Sequence, residues 1–174
     1  MARWRPRSLT PNAFGSKGSS MVTIRKASRE DAQAAWDIRN AAINSQCVGH
    51  YSSEELAIWT AGEITGQFMK EVENNFYVAT IDDLVVGTGM VNLESGKVDA
   101  IFVHPSHMGI GVGKKLISHL ESLARSGGLT QLHLESTLNA APFYRSCGFI
   151  GDRVAKYKSS RGLSLDCIPM IKSL

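Results

Sequence analysis

Cysteine is scarce in this chain. Cys47, Cys147 and Cys167 are the three among 174 residues, an odd number with no CxxC pairing. That excludes a disulfide framework and a zinc knuckle, and it reads as a reducing, cytoplasmic compartment. Histidine is spread thinly too: His50, His119 and His133 lack metal-ligand spacing, so no metal is expected. No apolar run approaches the roughly 18 residues of a membrane span, because charge or glycine interrupts each one. Basic surface is also in short supply. The formal net charge is +3, yet Arg3, Arg5, Arg7 and Lys17 give residues 1–20 a charge of +4 and leave residues 21–174 at −1. A nearly neutral body argues against nucleic acid as a partner. What is present is 43% hydrophobic and 20% charged sequence, enough apolar mass for the core of one domain.

Residues 1–20 are rich in Arg, Ser, Pro and Gly and show no apolar periodicity. They lack the apolar stretch of a secretory signal. An acid-free start with Arg and Ser is compatible with an organelle transit peptide; an upstream start before Met21, or residues added to the natural chain, are the alternatives. The folded domain is expected over residues 21–174.

A strand is predicted at residues 22–25, followed by a helix starting at Ser28 with Ala34/Ala35, Ile38 and Ala41/Ala42 on one face. Ser52 with Glu55 three residues on is a capping box, and after Gly62 the set Ile64, Phe68, Val72 continues at helical spacing. The period then changes. Residues 76–81 form a continuous apolar run, Asp82-Asp83 a turn, and residues 84–93 a second strand. Residues 97–104, apolar from Ala100 to Val103, read as a buried central strand. A helix is predicted from about Gly111 to Ser126 with Val112, Leu116, Ile117, Leu120, Leu123 and Ala124 inward, stopped by Gly127-Gly128. Leu132 and Leu134 alternate with His133 and Glu135 in a half-buried strand. A short helix at 140–146 and strands around 149–157 and 163–171 complete an α/β domain with one dominant mixed sheet.

The most informative segment is IFVHPSHMGIGVGKKL, residues 101–116. A strand ends at Pro105, and a loop with Gly109, Gly111 and Gly113 feeds directly into an amphipathic helix. Unpaired amides at a helix start sit at the positive end of its dipole, and glycine lets phosphate oxygens approach them. The spacing is neither GxxxxGK nor GxGxxG, so P-loop and dinucleotide-fold readings fail. No GxSxG elbow exists, so a serine hydrolase is unsupported.

These residues resemble the GCN5-related N-acetyltransferases. The acetyl-CoA signature of that family, Gln/Arg-x-x-Gly-x-Gly/Ala, would here be Met108-Gly109-Ile110-Gly111-Val112-Gly113. A second family motif appears as Thr137, Ala140, Phe143, Tyr144, Gly148 and Phe149. The pair spans residues 97–149. Two departures stand out: Met108 replaces Gln or Arg, removing a side-chain contact to pyrophosphate, and Thr137 replaces Ser. The resemblance implies a mostly antiparallel sheet of six or seven strands, flanked by about four helices and splayed between strands 97–104 and 132–135. It further implies that pantetheine pairs with the backbone of Phe102 and Val103, with pyrophosphate on the amides of Gly109 to Lys114. Asn139 would also lie in the cofactor site.

The implied activity is acetyl transfer from acetyl-CoA to a primary amine of a small molecule or peptide, directly within a ternary complex. The alternative is a non-catalytic acyl-CoA-binding sensor. Tyr144 is the expected acid for the leaving thiolate, doubling as a cofactor contact. Asp99 and Glu135, on the two splaying strands, are the candidate bases, with Glu94 behind them. His104 and His107 read as structural, and Cys147 as a small packed hydrophobe. Tyr51 and Trp59 are candidates for an acceptor pocket. Pairing of the last strands with a second copy, giving a homodimer, is left open.

Overall fold

The computed structural model describes residues 21–174; the basic segment 1–20, with its transit-peptide and upstream-start readings, lies outside the described residues. Four strands form the first sheet in sequence order: β1 (Thr23–Lys26), β2 (Phe76–Ile81), β3 (Leu84–Val91) and β4 (Val98–Val103), each antiparallel to the next. Three more form the second sheet in the order β5 (Gln131–Ser136), β7 (Ser164–Ser173), β6 (Ala155–Lys158), also antiparallel. The helices are α1 (Ala32–Gln46), α2 (Ser53–Thr60), α3 (Gly66–Asn75), α4 (Val112–Ser126) and α5 (Ala141–Ser146). The expected strand and helix order holds. None of the helices among the described residues is long and apolar enough to cross a membrane.

The apolar run of β2 follows from its position between two layers. Phe76 and Val78 pack with Val72, Ala32 and Ala35 from α3 and α1, whereas Ala79 joins Val86 against Val112 and Leu116 of α4. A strand covered on both faces needs apolar residues at consecutive positions. Helix α4 lies close on β3 because β3 carries Gly87 and Gly89 there. A Cβ on Gly89 would come within 2.7 Å of Ile101 and 3.3 Å of Leu120. The sequence signals at the helix ends are met: Ser52 Oγ accepts from the Glu55 amide at 3.1 Å, and Glu55 Oε2 accepts from the Ser52 amide at 2.8 Å. At the start of α1, Asp31 does more than favour the helix dipole. Arg25 grips its buried carboxylate through two bonds of 2.7 and 2.9 Å, which holds its pKa below the usual carboxylate range.

The two sheets touch through a single parallel bridge, Lys97 with His133, where the His133 amide donates to Gly96 O at 3.0 Å. Beyond it β4 and β5 part. This explains one departure from the sequence reading: β4 is half-buried from Ala100 to Val103, because its far edge borders a cavity instead of another strand. A second departure lies near the C-terminus. The strand predicted around 149–157 is confined to β6, and Ile150 makes only an isolated bridge to Ile171. Gly151, tucked against β7 where a Cβ would meet Pro169 O at 2.2 Å, breaks that run.

Candidate active site

The splay opens a cavity of about 790 Å³ that reaches from the start of α4 to α1 and the β6–β7 hairpin. Every site residue expected from the sequence lines it except Ile110, which is 60% exposed, and the reserve base Glu94.

One wall is main chain. Gly111 precedes α4 with φ +90°, a left-handed conformation that favours glycine, and caps the helix without a side-chain bond. Among the described residues, none of the amides from Gly109 to Lys114 donates a hydrogen bond. Six free donors at the positive end of a 15-residue helix are the elements of an anion cradle. Gly113 serves a different purpose from the other two loop glycines. A Cβ there would sit 2.8 Å from the Phe143 ring, so its bare backbone lets α5 close against α4. Met108 is 37% exposed at the rim, and Lys114 is exposed beside it.

Strand β4 supplies the floor. Between the pairs Thr88–Phe102 and Met90–Asp99, β4 carries two residues against one on β3, a bulge centred on Ala100 at φ +53°. Buried Thr88 holds the bulge by donating to Ala100 O at 2.8 Å. The His104 amide donates to Val86 O. Alternation then turns the main chain of Phe102 toward β3 and that of Val103 toward the open edge. The expectation that both residues offer backbone to the cavity is therefore corrected: Val103 does, and Phe102 contributes its side chain.

Tyr144 sits between Phe143 and Phe149, with ring centroids 5.1 and 5.9 Å away. Its hydroxyl has no hydrogen-bond partner among the described residues. Burial, reinforced by the nearby Asp99 charge, pushes its pKa well above the usual tyrosine value, so the phenol stays protonated. The two carboxylates differ. Glu135 is tied to Lys97 at 3.2 Å, whereas Asp99 lies 3.9 Å from that ammonium, is 59% exposed at its side chain, and accepts from the Ala100 amide at 2.9 Å. Glu94 lies outside the cavity lining. His104 Nδ1 accepts from the Ser106 amide at 3.1 Å, a turn role; His107 lines the cavity with a buried Nδ1 that has no partner among the described residues.

The opposite wall is made of side chains. Tyr51 packs edge-on against Trp59 at 5.5 Å, donates to Asp166 O at 2.6 Å and accepts from the Leu138 amide at 3.1 Å. Burial raises its pKa to about 12. Its hydroxyl is thus committed to tying β7 and the β5–α5 loop to the α1–α2 turn, and its contribution to a ligand is its ring. Asn139 is held by the Cys47 thiol at 3.4 Å.

Sequence reasoning missed Arg39, Lys97, Tyr157 and Asp166, all in the lining. For Arg39 a signal existed: it stands four residues from both Ala35 and Ile43, a cation on the inward stripe of α1. Lys97 stands just before β4, and Tyr157 and Asp166 lie on β6 and β7, segments around the splay that only the fold brings together.

A sheet split beside a glycine-opened helix start, with a protonated phenol in the split, puts main-chain donors for an anion and a proton donor in one cavity, the layout of a group-transfer enzyme. Residues 73–150 match the acetyltransferase (GNAT) domain family. A crystal structure from Rhodopseudomonas palustris, described as a GCN5-related N-acetyltransferase (aminotransferase, class-II), is 28% identical with a TM-score of 0.82, over 92% of this chain and 100% of that one. The peptidyl-lysine N-acetyltransferase YjaB of Salmonella typhimurium is 29% identical over 74% of this chain and 83% of its own length. The glucosamine 6-phosphate N-acetyltransferase of Trypanosoma brucei brucei is 39% identical over 31% of this chain, and the match spans 37% of that protein. The chain thus carries a GNAT domain over residues 73–150, and its similarity to a solved GCN5-related N-acetyltransferase extends over 92% of its length.

Proposed function

We propose that the protein transfers an acetyl group from acetyl-CoA to a primary amine, directly within a ternary complex. The observation that carries this reading is the convergence, in one cavity, of free amides at the α4 start, an open β4 edge and the buried phenol of Tyr144. The thioester supplies the activated acetyl group. The amides from Gly109 to Lys114 hold the pyrophosphate, and Val103 pairs with the pantetheine arm. Asp99 is the better-placed base, because Glu135 is engaged with Lys97. Asp99, directly or through a water, takes the proton that the acceptor ammonium must lose before its lone pair attacks the thioester carbon. As the carbon–sulfur bond breaks, Tyr144 gives its proton to the departing thiolate, the former amine nitrogen gives up its second proton to water, and the acceptor leaves as an N-acetyl amide while Asp99 returns its proton to solvent. The phenol then recovers a proton from solvent. A non-catalytic sensor would need the amides but neither Tyr144 nor Asp99.

The relatives named above act, by their names, on a peptidyl lysine and on a sugar phosphate. Both are amines, which fits the class of acceptor and does not choose within it. The test is thiol release from acetyl-CoA by the full chain over a panel of primary amines. Release that depends on an amine is expected; acetyl-CoA binding without release from any amine would favour the sensor.

A further inference from the structure

Charged groups in the cavity are unevenly matched. At the β4–β5 end, Asp99 and Glu135 share Lys97, and Asp166 is bonded to Lys156 at 2.6 Å. At the α1 end Arg39 is a half-buried cation, and among the described residues no carboxylate pairs with it. Among the described residues it bonds only neutral oxygens, Asn40 Oδ1 at 2.8 Å and Trp59 O at 3.1 Å, which leaves three of its five N–H donors without a partner there. Arg161 is equally unmatched: it donates to Ala61 O and stacks on Trp36, the ring that Arg39 also faces. The two guanidinium carbons lie 5.5 and 5.7 Å from that one ring centroid. Burial first, and then the Arg161 charge, press the pKa of Arg39 below its ordinary value against a smaller opposing contribution from Tyr157. A partly desolvated cation is costly unless an anion arrives to pair with it.

We infer that Arg39, backed by Arg161, is the specificity element of the acceptor site, and that the acceptor amine carries an oxyanion, a carboxylate or a phosphate. This rests on the acetyl-transfer reading. A zwitterionic acceptor is oriented by the cavity itself. Its oxyanion meets the guanidinium at the α1 end, and its ammonium lies toward Asp99 and Tyr144. The rings of Tyr51 and Trp59 line the path between them.

The test uses matched pairs: amino acids against their carboxamides, and glucosamine 6-phosphate against glucosamine. Each compound is measured twice with the full chain, by kcat/KM for thiol release and by calorimetric binding to the coenzyme A complex. At least one pair should favour its anionic member by about tenfold or more in both readouts, and the pair that does so identifies the oxyanion. Arg39→Gln should cut use and binding of that member roughly 10- to 100-fold, the loss of charged hydrogen bonds, with its neutral counterpart changed less than twofold. Arg39→Lys should recover part of the loss. Arg161→Gln, at an exposed position that leaves the fold intact, should give a smaller loss of the same selectivity, and acetyl-CoA affinity should hold in every variant. Anion-dependent binding without thiol release would refute acetyl transfer and leave the anion site standing. Equal binding of charged and neutral members by the wild type, no binding by any pair, or equal losses for both members in Arg39→Gln, would overturn the proposal.

Discussion

On the α4 side of the cavity the groups offered to a ligand are main-chain amides, exposed at a helix start that opens on a glycine in the left-handed region. On the α1 side they are side chains, drawn from segments as far apart as Tyr51 and Asp166 and held by hydrogen bonds between them. The difference has a functional meaning. A wall of amides recognises phosphate whatever side chains surround it, so it suits a donor common to many enzymes. A wall of side chains changes with each substitution, so it suits an acceptor particular to one. The first wall should tolerate changes of side chain and fail when its backbone is blocked; the second should do the reverse.

The largest expected effect lies where the walls meet. Tyr144→Phe keeps the ring among Phe143 and Phe149 and removes the proton donor. Its kcat should drop by about 10² to 10⁴ with acetyl-CoA affinity nearly unchanged, because the phenol acts as charge develops on sulfur. The raised pKa of Tyr144 fixes a sign as well. An acid that remains protonated to higher pH keeps the enzyme active there, so any alkaline fall in kcat from this group should lie above the ordinary tyrosine value of about 10. A wild-type kcat in the variant, with chemistry rate-limiting, would return Tyr144 to a packing role.

Next comes the donor wall. Gly111→Asp places a carboxylate in the cradle and should weaken acetyl-CoA binding on the order of 10²-fold by calorimetry. Gly111→Ala separates the causes. Open space surrounds the position, so this variant bears only the strain of φ +90°, roughly 1–2 kcal/mol of stability, and should bind far better than the Asp variant. Equal losses in the two would mean that backbone strain, and not charge, governs the cradle.

The acceptor wall responds in stability. Tyr51→Phe removes one hydroxyl that serves both Asp166 O and the Leu138 amide. A loss of about 1–3 kcal/mol in denaturant unfolding is expected, with acetyl-CoA affinity little changed. A stable variant with impaired acetyl-CoA binding would show that the walls are not separable. The smallest effect belongs to Met108→Arg at the rim, which should tighten acetyl-CoA binding by about 1 kcal/mol if pyrophosphate lies within its reach. No gain would indicate that the loop geometry has adapted to methionine.

This contrast also explains what the sequence could disclose. The donor wall is contiguous, so Gly109 to Lys114 between an apolar strand and an amphipathic helix could be read directly, and the first family motif falls on it. Element order followed from periodicity. The half-burial of β4 could not be read, because a strand beside a cavity and one beside another strand share the same apolar pattern. Nor could the turning of Phe102 away from the open edge, since that depends on register with β3. Of the acceptor wall, Tyr51 and Trp59 could be named, and the rest stayed hidden for a related reason: Arg39, Tyr157 and Asp166 converge only through the return of the last hairpin onto α1. Arg39 was the exception that periodicity could have exposed.

Direct transfer requires donor and acceptor to occupy their opposite walls together. The most direct measurement is an initial-rate matrix in which acetyl-CoA and an accepted amine are both varied. Intersecting double-reciprocal lines, with one thiol released per N-acetyl product, are the predicted result for direct transfer in a ternary complex. Parallel lines, the signature of a covalent acetyl-enzyme, would contradict it.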